Sequence, residues 1–120
     1  MSMIKPENIE LMKKMLDFSA ARQKALANNI ANVNTPGYQS VDVEFDKELR
    51  SVIASGDKNA IRKLGFSFVK TNDTSMRNDG NNVDIDMEMA KLSENALVFN
   101  IYSTFLKRKF QGLKSVIKGK

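Results

Sequence analysis

Neither cysteine nor histidine occurs among the 120 residues, and proline appears only twice. The lack of cysteine excludes disulfides and thiolate metal ligands. The lack of histidine removes imidazole acid/base chemistry, Ser-His-Asp arrangements and every His-containing metal site. Aspartate and glutamate remain as acids, but no carboxylate pair falls on a recognisable catalytic scaffold, and there is no Gly-rich phosphate loop or activated nucleophile. So short a chain also leaves little interior for an enzyme pocket. These shortages describe a non-enzyme with no cofactor, no metal and no small-molecule substrate.

Long hydrophobic runs are missing as well. No segment approaches the ~20 consecutive apolar residues of a membrane span, and the opening MSMIKPENIE is too polar for the core of a signal peptide. Neither membrane insertion nor export by a cleaved signal is expected. Acidic residues are absent from one region: beyond Leu106 the chain carries Lys107, Arg108, Lys109, Lys114, Lys118 and Lys120, within an overall net charge of +5. A basic coiled-coil module of this kind could bind nucleic acid or an anionic membrane surface. The favoured reading is a solvated helix face, because Phe110, Leu113 and Ile117 interleave with the charges and cations complement the negative end of a helix dipole. Nucleic acid is then not a partner.

What is present is helical periodicity at both ends. Pro6 suits the first position of a helix that the pattern carries to about Asn34, roughly 43 Å at 1.5 Å per residue. Met12, Leu16, Ser19, Gln23, Leu26, Ile30 and Val33 alternate by steps of four and three, the 3.5-residue period of a coiled-coil seam, with Ser19 and Gln23 as interruptions. Leu11, Met15 and Phe18 widen the apolar surface in the first half and call for more than one neighbour. The second helix is expected from about Asp84 to about Lys118, roughly 52 Å long. Its seam reads Ile85, Met89, Leu92, Ala96, Phe99, Ser103, Leu106, Phe110, Leu113 and Ile117, polar only at Ser103, with Val98, Ile101 and Phe105 as a stripe beside it. Asp84, Asp86 and Glu88 favour the positive end of that helix dipole.

The expected fold is mainly α: two long helices paired as a coiled-coil hairpin around a flexible middle region, in one domain divided as 1–38, 39–83 and 84–120. In the middle, short helices are expected around Phe45–Ile53 and Asn59–Leu64 and a strand over Gly65–Lys70, where Phe66 and Phe68 share a face. Thr71–Asn82 has loop composition, with Asp79-Gly80 as a turn signal. Calcium does not fit this loop, because counting from Gly80 puts Ser75 and Arg77 at ligand positions and Asp86 where a bidentate Glu belongs. Asn72-Asp73-Thr74 matches the weak three-residue glycosylation pattern. The seams and stripes together hold more apolar surface than a lone two-helix hairpin buries, which points to assembly with other subunits.

Asn28 to Tyr38, NNIANVNTPGY, joins the first helix to a chain break. Asn28, Asn29, Asn32 and Asn34 offer amides for the unpaired carbonyls of the last helical turn. Pro36 stops the helix, and Pro36-Gly37 suits the centre of a type II turn, with Gly37 at positive φ. The run Ala27, Asn28, Asn29, Ile30, Ala31, Asn32, then Thr35, Pro36, Gly37 and Tyr38, resembles the N-terminal signature of bacterial flagellar axial proteins. A second run, Gly80, Asn81, Asn82, Val83 and Asp84 followed by Glu88, Met89, Leu92 and Asn95, is similar to the start of the C-terminal helix in proximal rod subunits.

The resemblance to the flagellar basal-body rod family implies a structural, non-enzymatic subunit that links the MS ring to the distal rod and transmits torque. It implies paired terminal helices packed around an export channel, and a place in the periplasmic rod reached through the flagellar type III export apparatus. Implied partners are other rod subunits, further copies of the chain, and the adaptor joining rod to MS ring.

Overall fold

A computed structural model describes residues 6–72 and 75–119. Lys120, the first five residues, and Asp73 and Thr74 of the glycosylation pattern lie outside the described residues. The order of elements is α1 (Pro6–Ala31), β1 (Val41–Phe45), α2 (Leu49–Ser55), α3 (Lys58–Arg62), β2 (Phe66–Lys70) and α4 (Ile85–Ile117). The fold is mainly helical, with the long first and last helices packed together, and it is elongated at 64 × 28 × 16 Å.

Helix α4 begins where its charges predict. Asp84 is the N-cap, its carboxylate accepting from the N–H groups of Asp86 at 3.1 Å and Met87 at 3.2 Å, and Asp86 and Glu88 fill the first turn. Helix α1 stops at Ala31, three residues short of the expected Asn34. The cause is a tightening of the last turn: Val33 N–H bonds Ile30 O at 3.2 Å and Thr35 N–H bonds Asn32 O at 3.0 Å, so residues 32–34 form turns and leave carbonyls open to outside donors. The predicted turn follows, with Tyr38 N–H on Thr35 O at 3.2 Å and Gly37 at φ 75°.

The middle of the chain corrects the helix expected around Phe45–Ile53. Phe45 closes strand β1 instead of opening a helix, and α2 begins only at Leu49. Strand β1, Val-Asp-Val-Glu-Phe, alternates in the manner of a half-buried strand but is only five residues long and sits close behind a turn. It pairs antiparallel with β2, from Val41 opposite Lys70 to Phe45 opposite Phe66. The β2 strand lies within the predicted Gly65–Lys70 segment, and α3 overlaps the predicted Asn59–Leu64 helix.

The two-stranded sheet, too small to be stable by itself, leans on α1. Phe18 stacks on Phe45 with ring centres 4.3 Å apart and meets Phe66 edge-on at 6.0 Å. Beside them Val52, Ile61 and Leu64 form a small core against Leu11, Phe45, Leu49 and Ala60. The neighbour of Leu11 and Phe18 is the chain's own middle region.

Candidate functional site

Four buried asparagines, Asn29, Asn81, Asn82 and Asn95, together with buried Glu88, join the end of α1, the start of β1, the 75–84 loop and the face of α4. A buried amide must find hydrogen-bond partners, and each of these reaches a partner on another element. Asn29 treats β1 as a neighbouring strand would: its Nδ2 donates to Val41 O at 2.8 Å and its Oδ1 accepts Val41 N–H at 3.0 Å. The same Nδ2 donates to Glu88 Oε2 at 3.0 Å, and Oδ1 accepts the Tyr38 hydroxyl at 2.9 Å. One side chain therefore ties α1 to β1, to the Pro-Gly turn and to α4.

Asn81 closes the open end of α1. Its Nδ2 faces the carbonyls of Asn32 at 2.9 Å, Val33 at 3.2 Å and Thr35 at 2.8 Å, while its Oδ1 accepts Val83 N–H at 2.7 Å. Arg77 also donates to Val33 O. The asparagines of the first motif do less capping than their number suggests: Asn32 Nδ2 returns to Asn28 O at 2.8 Å, and the carbonyls of Asn32, Val33 and Thr35 are met by Asn81 of the second motif. Asn82 performs the matching task for the chain leaving the turn, accepting Ser40 N–H at 2.7 Å and donating to Thr71 O at 2.8 Å. Its backbone N–H reaches Tyr38 O at 3.3 Å, and Ser40 and Thr71 hydroxyls bond each other.

The two turns touch directly. Gly37 N–H donates to Asp79 O at 2.8 Å, and a Cβ on Gly80, whose φ is 81°, would stand 3.4 Å from Gly37 Cα. Both glycines are needed for their positive φ. Residues 28–38 and 80–84, which carry the two sequence resemblances, thus form one junction. Within it Asn29, Asn82 and Val83 are buried, Ile30, Asn32 and Tyr38 partly so, and Asn28, Ala31, Thr35, Pro36, Gly37 and Asp84 are exposed.

Charge flanks the junction. Arg22 holds Asp42 through Nε at 2.8 Å and Nη2 at 3.2 Å, with Lys91 Nζ at 4.0 Å from the same carboxylate, so α1, β1 and α4 meet on one Asp. The hydrogen bond to Asp42 raises the Arg22 pKa against the opposing effect of burial. Burial raises that of the Tyr38 phenol; Asn28 Nδ2, donating at 3.2 Å, pulls the other way and the Glu88 charge adds to the rise.

The helix faces are arranged differently from a purely apolar seam. The most buried residues of α4 are polar, Glu88 and Asn95, one heptad apart and one position before Met89 and Ala96 of the expected seam. Asn95 Nδ2 donates to Ser19 O at 2.8 Å and Gln23 Oε1 at 2.9 Å. On α1, Leu26 is fully buried and Met12, Leu16 and Ile30 partly so, as is Val33 in the turn beyond it; on α4, Leu92, Ala96, Phe99 and Leu106 are partly buried. Ile85, Met89, Phe110, Leu113 and Ile117 are exposed, the last at 85 %. Hydrophobic periodicity could not locate the polar contacts, and Arg22, Asp42 and Lys91 offered no spacing that links them. Among the described residues no helix is long and apolar enough to cross a membrane.

The family described as "Flagella basal body rod protein" matches residues 19–39, from the Ser19 contact to just past the Pro-Gly turn. The flagellar basal body rod protein FlgB of Borrelia hermsii is 33% identical, covering 92% of this chain and 96% of the relative. FlgB of Bacillus subtilis is 33% identical, covering 92% and 93%. FlgB of Salmonella typhimurium is 28% identical, again covering 92% and 93%.

Proposed function

The chain belongs to the FlgB family of flagellar basal body rod proteins and is a structural subunit of the rod, and on that premise we propose that its junction sets the angle at which the chain leaves the paired helices. The observation that carries the reading is the bonding of Asn81 to three carbonyls at the end of α1, which makes helix end, turn and α4 start one rigid corner. A subunit that transmits torque needs its helices and its outward module fixed to each other, and a corner tied by internal hydrogen bonds supplies that stiffness.

In this reading residues 1–38 and 84–120 are the axial part, paired as a coiled coil within the periplasmic rod, and 39–83 is the outward module. The subunit is proximal, joins the adaptor on the MS ring to the distal rod, and travels uncleaved through the flagellar export apparatus. It performs no catalysis. The exposed apolar residues of α4 meet neighbouring rod subunits, because patches of this kind on a soluble chain mark interaction sites.

The test is electron microscopy of basal bodies from a strain lacking the gene. Rings without a rod, restored by the intact gene but not by Leu106→Asp, are expected; complete rods in the deletion strain would overturn the assignment.

A further inference from the structure

Strand β2 has one bonded edge and one open edge. Thr71 N–H donates to Ser40 O at 2.9 Å at one end of the ladder and Asp46 N–H to Gly65 O at 2.8 Å at the other, so Ser67 and Val69 between them face β1. The N–H and C=O groups of Phe66, Phe68 and Lys70 therefore point outward, and among the described residues they have no hydrogen-bond partner. The outer edge of β1 differs: Asn29 takes both backbone groups of Val41, and the Asp42 carboxylate accepts Val43 N–H at 2.8 Å. Side chains close one edge of the sheet, and the other is a template for a further strand.

The side chains beside the open edge form a seat. Opposed residues share a face, so Phe66, Phe68 and Lys70 lie with Phe45, Val43 and Val41 on the side where Phe18 of α1 packs. Phe68 is nevertheless 60% exposed. Between it, Val41 and the helix residues Lys24, Ala25, Ala27 and Asn28 lies a groove of about 630 Å³. Two cations stand here, Lys24 in the groove and Lys70 two residues from Phe68 on the same face. Both are exposed, and neither has an acidic partner among the described residues.

We propose that this edge receives an extended segment of a partner protein, added antiparallel to β2, with an apolar side chain beside Phe68 and a carboxylate opposite Lys70. An open ladder demands an extended backbone, which a helix cannot offer because its own N–H and C=O groups are used internally. Exposed Phe68 favours an apolar residue opposite it, and the two unpaired lysines favour acid on the same face of the incoming strand. Recognition by backbone pairing in the module between the long helices is a property separate from the rod assignment.

NMR titration of the isotopically labelled full chain with the acetylated, amidated peptide Glu-Thr-Val-Thr-Val tests it. In antiparallel register the Glu stands opposite Lys70 and the two Val opposite Phe68 and Phe66. The amides of Phe66, Phe68 and Lys70 are expected to shift and to exchange more slowly with solvent when the peptide is bound. Methylating the backbone nitrogen of the Val opposite Phe68 deletes a ladder bond and is expected to weaken binding about tenfold or more. Methylating the Thr before it, whose N–H points away from β2, is expected to change affinity less than about threefold. Lys70→Glu weakens binding about fivefold, and a peptide with Lys in place of its Glu restores it. Phe68→Ser weakens it about tenfold. Both substituted residues are exposed, and unchanged far-UV circular dichroism verifies the fold. No change in the three amides at about 1 mM peptide would overturn the proposal. Equal affinity for the two methylated peptides would do so as well, since it marks apolar adhesion without strand pairing. Protection of the same amides in the chain alone, growing with its concentration, assigns the edge to a second copy and overturns it too. None of these results touches the rod assignment, which the deletion strain decides separately.

Discussion

The backbone N–H of Gly37 donates to the carbonyl of Asp79 at 2.8 Å, joining a Pro-Gly turn to an Asp-Gly turn forty-two positions later in the chain (79 − 37). Around that single bond Asn29, Asn81 and Asn82 tie the end of α1, the start of β1 and the loop before α4 together, so the properties of the junction can be tested one residue at a time.

Asn81→Ala removes the donor that faces three carbonyls and the acceptor for Val83 N–H. The expected loss is roughly 3 kcal/mol, since several buried groups lose their partner at once. Asn81→Asp should be nearly as costly, because a carboxylate cannot donate to carbonyls. Urea denaturation measures both, and an unchanged midpoint in either variant would refute the capping role.

Two glycines separate conformational need from mere presence. Gly80→Ala forces φ near 81° on an L-residue and pushes a methyl to 3.4 Å from Gly37 Cα, for an expected cost of about 1–2 kcal/mol. Gly112→Ala lies inside α4 with open space beside it and should stabilise the isolated chain by about 0.5–1 kcal/mol. Thermal unfolding of the pair should therefore shift in opposite directions.

Alkaline pH acts through Tyr38, whose phenol proton is held above the ordinary 10.0 chiefly by burial. Past pH 10 the unfolded chain releases that proton before the folded chain does, so the unfolded state is favoured. The stabilising contribution is complete below pH 10 and is lost as pH rises through the raised folded value. Tyr38→Phe should show a shallower fall of stability over that window, measured by denaturant midpoints at successive pH values; parallel slopes would count against it.

Ser19 is 1% exposed and its hydroxyl has no hydrogen-bond partner among the described residues, although its carbonyl accepts from Asn95. Ser19→Ala keeps the carbonyl and deletes the unsatisfied group, so it should be neutral or stabilising by about 1 kcal/mol. Asn95→Ala, by contrast, leaves Ser19 O and Gln23 Oε1 without their donor and should destabilise by about 1–3 kcal/mol. Both follow from chemical denaturation, and a stabilised Asn95→Ala would mean that α4 is held by something other than this bond.

Local chemistry decided much of this molecule. Asp84, Asp86 and Glu88 placed the start of α4, Pro36-Gly37 placed the turn, and alternation in Gly65–Lys70 placed β2, because each depends on residues within a few positions of one another. The motif residues Asn28–Tyr38 and Gly80–Asp84 were visible as separate runs and as a family resemblance. Their union was not visible. The Asn29 bonds to Val41 and Glu88, and those of Asn81 to the end of α1, span 12 to 59 positions and have no period. The α1–α4 contact is most buried at Glu88 and Asn95, and a search for apolar periodicity reads polar residues as solvent-facing. Whether an amide is buried with partners or exposed to water is settled only when distant backbone groups are brought within hydrogen-bond reach, and that is a property of the tertiary structure.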